Sequence, residues 1–258
     1  MKSVITRDEE KFLNEHFRYF TEDHRDEPVY ERLNAESLLS RDGTEKALNH
    51  LHIYLESESF LTTGSFLGKR FGYYAITVPI VLMTLFDKFP DVSPANVEYV
   101  RIDENPKWFP KYYLKDKTTI SPEENRKAWI EENMRQLFRD HLAPIFFHIH
   151  KTTRVSKKVL WENVAIYLYW LYERKLPEWY EGAELERLRE DFRFIVEELD
   201  GEPFGEKKNP FTYFESQPVL PTGARERKCC CLSYRLHEDS TFCKVCPHLK
   251  RMDELKNL

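Results

Sequence analysis

A chain of 258 residues with 14% aromatic and 32% charged side chains is long enough for a substantial core and too rich in apolar anchors to stay disordered. Its formal net charge of -5 argues against nucleic acid as the main partner. The first twenty residues are charged, unlike a secretory signal, so the expected compartment is the cytoplasm, where thiols stay reduced.

Thr6-Arg-Asp-Glu9 has the form of a capping box, and Phe12, Leu13, His16, Phe17 and Phe20 follow at helical spacing. The pattern predicts an amphipathic helix over 7–20 and a second over about 43–57, with Leu48, Leu51, Ile53 and Leu55 apolar. Gly64-Ser-Phe-Leu-Gly68-Lys69-Arg70 faintly suggests a phosphate loop. It fails the test, having three residues between the glycines instead of four and Arg70 where Ser or Thr must follow the lysine. Lys69 and Arg70 then read as surface charges at the start of an apolar helix. That helix, Phe71 to Phe86, is sixteen residues long and contains Pro79, too short for a membrane span and suited to a buried core.

Asn96–Asp103 and Trp108–Leu114 read as strands of a small hairpin or sheet. Ser121-Pro122-Glu123-Glu124 predicts a helix start, with the helix running to about His141 and breaking or kinking near Pro144. His50-Leu-His52 and His148-Ile-His150 lie in helical stretches, where residues two apart point in different directions, so both pairs read as structural. Ser156 caps a predicted helix from Lys157 to Lys175. Asn163 interrupts its apolar stripe and needs a hydrogen-bond partner if buried. A helix over Glu184–Leu199 ends at Asp200-Gly201, and residues 201–224, rich in Pro and Gly, read as an irregular strap. A short helix is expected from Pro247 to Leu258.

All five cysteines, Cys229, Cys230, Cys231, Cys243 and Cys246, fall inside eighteen positions near the C-terminus. Disulfides are the weakest reading, since vicinal cysteines pair poorly and the chain shows no secretory context. Cys243-Lys-Val-Cys246 is an ordinary chelate loop of zinc-site type. The adjacent Cys230 and Cys231 point to opposite faces of an extended backbone and can converge only across a kink, which a two-iron cluster accommodates better than one ion. Spacing alone leaves zinc and iron–sulfur open. Residues 221–258 carry eight Lys or Arg against five Asp or Glu, a basic frame in an acidic chain that favours an added electron and an acidic donor.

Arg227-Lys-Cys-Cys-Cys-Leu-Ser-Tyr-Arg-Leu236, followed by Cys243-Lys-Val-Cys246-Pro247, resembles the C-terminal motif of FhuF-like ferric siderophore reductases. Gly64–Arg70 and Leu160-Trp-Glu-Asn-Val-Ala165 are similar to two further stretches of that family, in the same order. The resemblance implies a 2Fe-2S cluster on C-C-x10-C-x2-C, carried here by Cys230, Cys231, Cys243 and Cys246, with Cys229 outside the motif. The chain departs by one residue, with eleven positions between Cys231 and Cys243, and this opens the alternative that Cys229 replaces Cys230. It also implies a ferric siderophore of hydroxamate type as substrate and a ferredoxin-like donor, with Lys69 and Arg70 facing the ligand cavity. No catalytic residue beyond the cluster is needed.

The expected fold is α+β and mainly helical: a helical body, a small sheet or hairpin, and a C-terminal cysteine-ligated segment. Three parts are expected, 1–115, 116–220 and 221–258, the first two forming the cavity between them. The chain is expected to be a monomer without stable membrane insertion. With eight glycines and no G-x-G-x-x-G, no nicotinamide or flavin site is visible, so electrons are expected from a partner. The rival functions are a protein with a structural zinc site and an iron–sulfur redox sensor.

Overall fold

The computed structural model describes residues 1–21, 28–104, 108–236 and 242–249. The Thr6 hydroxyl accepts from the Glu9 amide at 3.3 Å, and the Glu9 carboxylate accepts from the Thr6 amide at 2.7 Å. Both halves of the capping box are therefore made. Behind it α1 runs Arg7–Phe17, preceded by a short strand β1, Lys2–Val4. Ser40 caps α2, Arg41–Tyr54, two residues before the expected start.

The apolar helix is longer than its apolar run. α3 spans Phe60–Phe86, so Gly64 to Arg70 is helix interior, not a loop, and Lys69 and Arg70 stand mid-helix instead of at a start. Glycine costs roughly 1 kcal/mol in a helix interior, which is why sequence pattern alone stops at Phe71. Tertiary packing reverses that preference. Gly64, Gly68 and Gly72 fall every fourth residue on one face, where a Cβ would collide with Thr153 and Leu160 and would stand 3.1 Å from Val164 Cγ2. The stripe lets α3 lie close against α5, Ala143–Thr153, and above all against α6, Lys157–Trp170.

Among the described residues, two three-stranded antiparallel sheets accompany the helices. The expected hairpin is present as β4, Val97–Arg101, and β5, Lys111–Leu114, with β2, Glu31–Asn34, added along β4. The second sheet has the order β1-β6-β3, with β3 Phe89–Pro90 and β6 Thr118–Ile120. Its strands are two or three residues long, too short for an alternating pattern to register.

The helix predicted at Ser121 begins later. Asn125 accepts from the Ala128 amide at 3.0 Å, so α4 is Arg126–Arg135. At Pro144 there is no break. A π segment, Gln136–Leu142, joins α4 to α5 and places Pro144 in the first turn after it, where the wider turn accommodates the missing amide. Ser156 caps α6, which continues through a π turn to Lys175, and α7, Gly182–Arg193, ends in a similar turn at Glu198. Only one-turn helices, Glu202–Phe204 and α8 at Thr212–Glu215, interrupt the strap over 201–224. Most of the helix expected over Pro247–Leu258 lies outside the described residues.

The core is continuous from Ile5 to Leu236. Trp161 is its aromatic hub, edge-on to Phe146 at 4.9 Å and Phe204 at 5.1 Å. No helix among the described residues is long and apolar enough to cross a membrane.

Candidate metal centre

Three polar side chains inside the α3–α6 interface hold the cysteine segment. Asn163 is fully buried; its amide nitrogen donates to the Ser65 carbonyl at 3.4 Å, and its oxygen accepts from the Arg227 guanidinium. The Ser65 hydroxyl donates to the Cys231 carbonyl at 2.8 Å. Glu162, also buried, accepts from the amides of Lys228 at 2.9 Å and Cys229 at 2.7 Å and lies 3.7 Å from Arg227 Nε. The partner that Asn163 demands is thus the arginine at the head of the cysteine motif. Glu162 and Ser65 carry as much of the anchoring. An acidic residue beside Asn163 in an apolar run was a signal for the first; the second lies in the Gly64–Arg70 stretch that resembles the family, though the stretch does not say what the serine bonds.

The chain turns sharply just after the vicinal cysteines. Leu232 lies in the left-handed region at φ 60, a strained conformation for a leucine, and its amide donates to Cys230 Sγ at 3.3 Å. On the other side the Cys246 amide donates to the Cys243 carbonyl at 2.8 Å, closing the chelate turn, and the Arg227 amide donates to Val245 at 3.0 Å, tying the two halves together.

Cys230 Sγ lies 3.8 Å from Cys246 Sγ, and Cys231 Sγ lies 3.2 Å from the Ser233 hydroxyl. Interaction with the Cys243 thiol, then the Lys69 and Arg227 charges, pull the Cys231 thiol well below the ordinary thiol range, while Cys243 is pushed up as the proton-bearing partner. The Lys69 ammonium is 3.7 Å from Cys231 Sγ. At Cys229, burial and the neighbouring Glu162 carboxylate push the thiol up to about 11. A tetrahedral ion with metal–sulfur bonds of about 2.3 Å separates two ligating sulfurs by about 3.8 Å, so the spacing of Cys230 and Cys246 suits a shared ion. Among the described residues no group of three or more histidine, cysteine or acidic side chains is arranged around a single ion.

Arg70, next to Lys69, stacks on the Phe109 ring at 3.7 Å and lies over Phe66 at 4.7 Å. Three of the four histidines in these pairs have polar partners. His52 Nδ1 pairs with the Thr63 hydroxyl at 3.0 Å, His150 Nδ1 with the Val155 carbonyl at 2.7 Å, and His50 lies 3.5 Å from Glu31.

A family model described as ferric iron reductase FhuF-like transporter matches residues 71–220, more than half of the chain. The chain belongs to this FhuF-like family. The matched stretch includes α6 with Glu162 and Asn163 and stops short of Arg227, so the cysteine segment of this FhuF-like chain stands on its own geometry. No curated protein and no solved structure matches the chain.

Proposed function

We propose that this FhuF-like chain is a ferric siderophore reductase that holds a 2Fe-2S cluster on Cys230, Cys231, Cys243 and Cys246. The observation that carries the reading is the approach of Cys230 to Cys246 with Cys231 beside Lys69, while the Cys229 amide is held by Glu162. When bound, the cluster supplies one electron, converting a chelated iron(III) to iron(II), and a reduced donor protein restores it. Hard oxygen donors hold iron(III) far more strongly than iron(II), so the one-electron step releases the metal without an acid, base or nucleophile. A hydroxamate chelate is the proposed substrate, and the cytoplasm the proposed setting.

The chain's own residues shape that step. Lys69 at Cys231 and buried Arg227 place positive charge at the sulfurs, which favours an added electron. Glu162 offsets part of the Arg227 charge and fixes the backbone ahead of the vicinal pair. A groove of about 800 Å³ lined by Lys157, Lys158, Lys207 and Lys208 reaches Glu162, and its charge suits an acidic ferredoxin-like donor.

The test is substitution with turnover. Ser at Cys230, Cys231, Cys243 or Cys246 is expected to abolish the visible cluster spectrum and the reduction of a ferric trihydroxamate by a reduced donor, and Cys229→Ser to retain both. Retention in Cys230→Ser with loss in Cys229→Ser would shift the ligand set by one residue. The same sulfur spacing also admits zinc, and a colourless zinc protein without turnover would replace the reductase with a structural site.

A further inference from the structure

Beside the cysteines lies a second cavity of about 330 Å³ between the C-terminal half of α6 and the strap. Val245, the residue between Cys243 and Cys246, forms part of its wall. Opposite stand three half-buried rings: Tyr73 packs edge-on against Tyr167 at 5.0 Å and lies 6.2 Å from Trp170. Gly223 and Ala224 of the strap line its other side. The ionisable lining comprises Glu173, Arg174 and Arg225, and Glu173 is paired with Arg225 at 2.6 Å, so the cavity carries a net single positive charge. Burial pushes the Tyr73 hydroxyl up to about 12, which keeps that ring neutral.

Resting on the reductase reading, we infer that this aromatic cleft is the binding site of the iron(III) chelate. An aromatic wall with few placed charges binds a compact ligand whose own charges cancel internally. Three hydroxamates, each a monoanion, cancel the charge of iron(III), whereas three catecholates leave a trianion that this lining does not balance. Occupancy of the cleft puts the chelate against Val245, one residue from Cys246 and two from Cys243. The lysine groove differs on both counts. It carries four lysines against Glu162 and Glu206, which suits an anionic partner, and it meets the cysteine segment only through Glu162.

The probe is gallium(III) desferrioxamine E, a redox-inert and uncharged trihydroxamate, titrated by calorimetry into the purified protein with its cluster in place. Wild type is expected to bind it. Trp170→Ala should weaken binding about tenfold, the equivalent of about 1.4 kcal/mol, and Ala224→Trp, which fills the cleft from the strap without removing a packed ring, should abolish it. Both variants should keep the wild-type visible spectrum. Wild-type affinity in Ala224→Trp overturns the cleft, as does loss of binding in a Lys157→Glu, Lys208→Glu double variant with the cleft intact, or absence of binding to wild type. Wild type that binds gallium(III) desferrioxamine E but does not turn over the ferric chelate overturns the reductase reading and leaves the cleft standing.

Discussion

His141 shows what burial does to a single titratable residue in this protein. It is almost wholly inaccessible; its Nδ1 donates to the Val92 carbonyl at 2.7 Å and its Nε2 faces the Tyr99 hydroxyl at 3.5 Å. Burial lowers its pKa to about 4 from an ordinary 6.5, so the folded protein refuses a proton that the unfolded chain accepts. Above pH 6.5 both states are neutral at this ring and nothing is lost. As pH falls from 6.5 to about 4, stability drops by about 3 kcal/mol from this group alone. Urea denaturation between pH 7 and 4 should show that loss reduced in His141→Gln, and parallel losses in the two proteins would contradict it. Individual residues were unevenly legible. Asn163 declared itself because an amide in an apolar stripe must be satisfied, and its partner proved to be Arg227. Lys69 and Arg70 gave the opposite impression from the sequence, because charge beside an apolar run looks like a helix end when it is in fact a helix interior.

At the scale of elements, caps were legible and packing was not. Thr6 and Ser156 each accept a backbone hydrogen bond at the start of their helices, as their patterns announced, whereas Ser40 caps a helix whose start the sequence placed two residues later. Ser121 loses to Asn125 because the two stretches compete within five residues and only the three-dimensional path of the chain decides between them. The π segments that carry α4 into α5 and extend α6 and α7 have no sequence signature of their own. The glycine stripe of α3 makes the point testable. Helix propensity alone expects Gly68→Ala to stabilise the protein by about 1 kcal/mol. Collision of the new methyl with Leu160 reverses the sign, and the expected result is a loss of about 1–3 kcal/mol in chemical denaturation. A stabilised Gly68→Ala protein would mean that α6 does not rest on this face.

Over the whole molecule, the mainly helical α+β class and the position of the cysteine segment followed from periodicity and from cysteine spacing, both local signals. The joining of the segment to the body did not, because it depends on contacts between residues far apart in sequence: Ser65 with Cys231, Glu162 with Cys229, and Arg227 with Asn163. Through Glu162 the segment adjoins the lysine groove, and through Val245 it lines the aromatic cleft. The anchoring also explains how a short segment with no regular structure beyond a single turn is held in one geometry: its amides and carbonyls are satisfied by side chains of α3 and α6.

The central claim is that the four cysteines hold a redox-active two-iron cluster. It is tested most directly by iron, zinc and acid-labile sulfide analysis of anaerobically purified protein, with a visible spectrum before and after dithionite. The account predicts about two irons and two sulfides per chain and bleaching on reduction. About one zinc per chain, with neither sulfide nor colour, would contradict it.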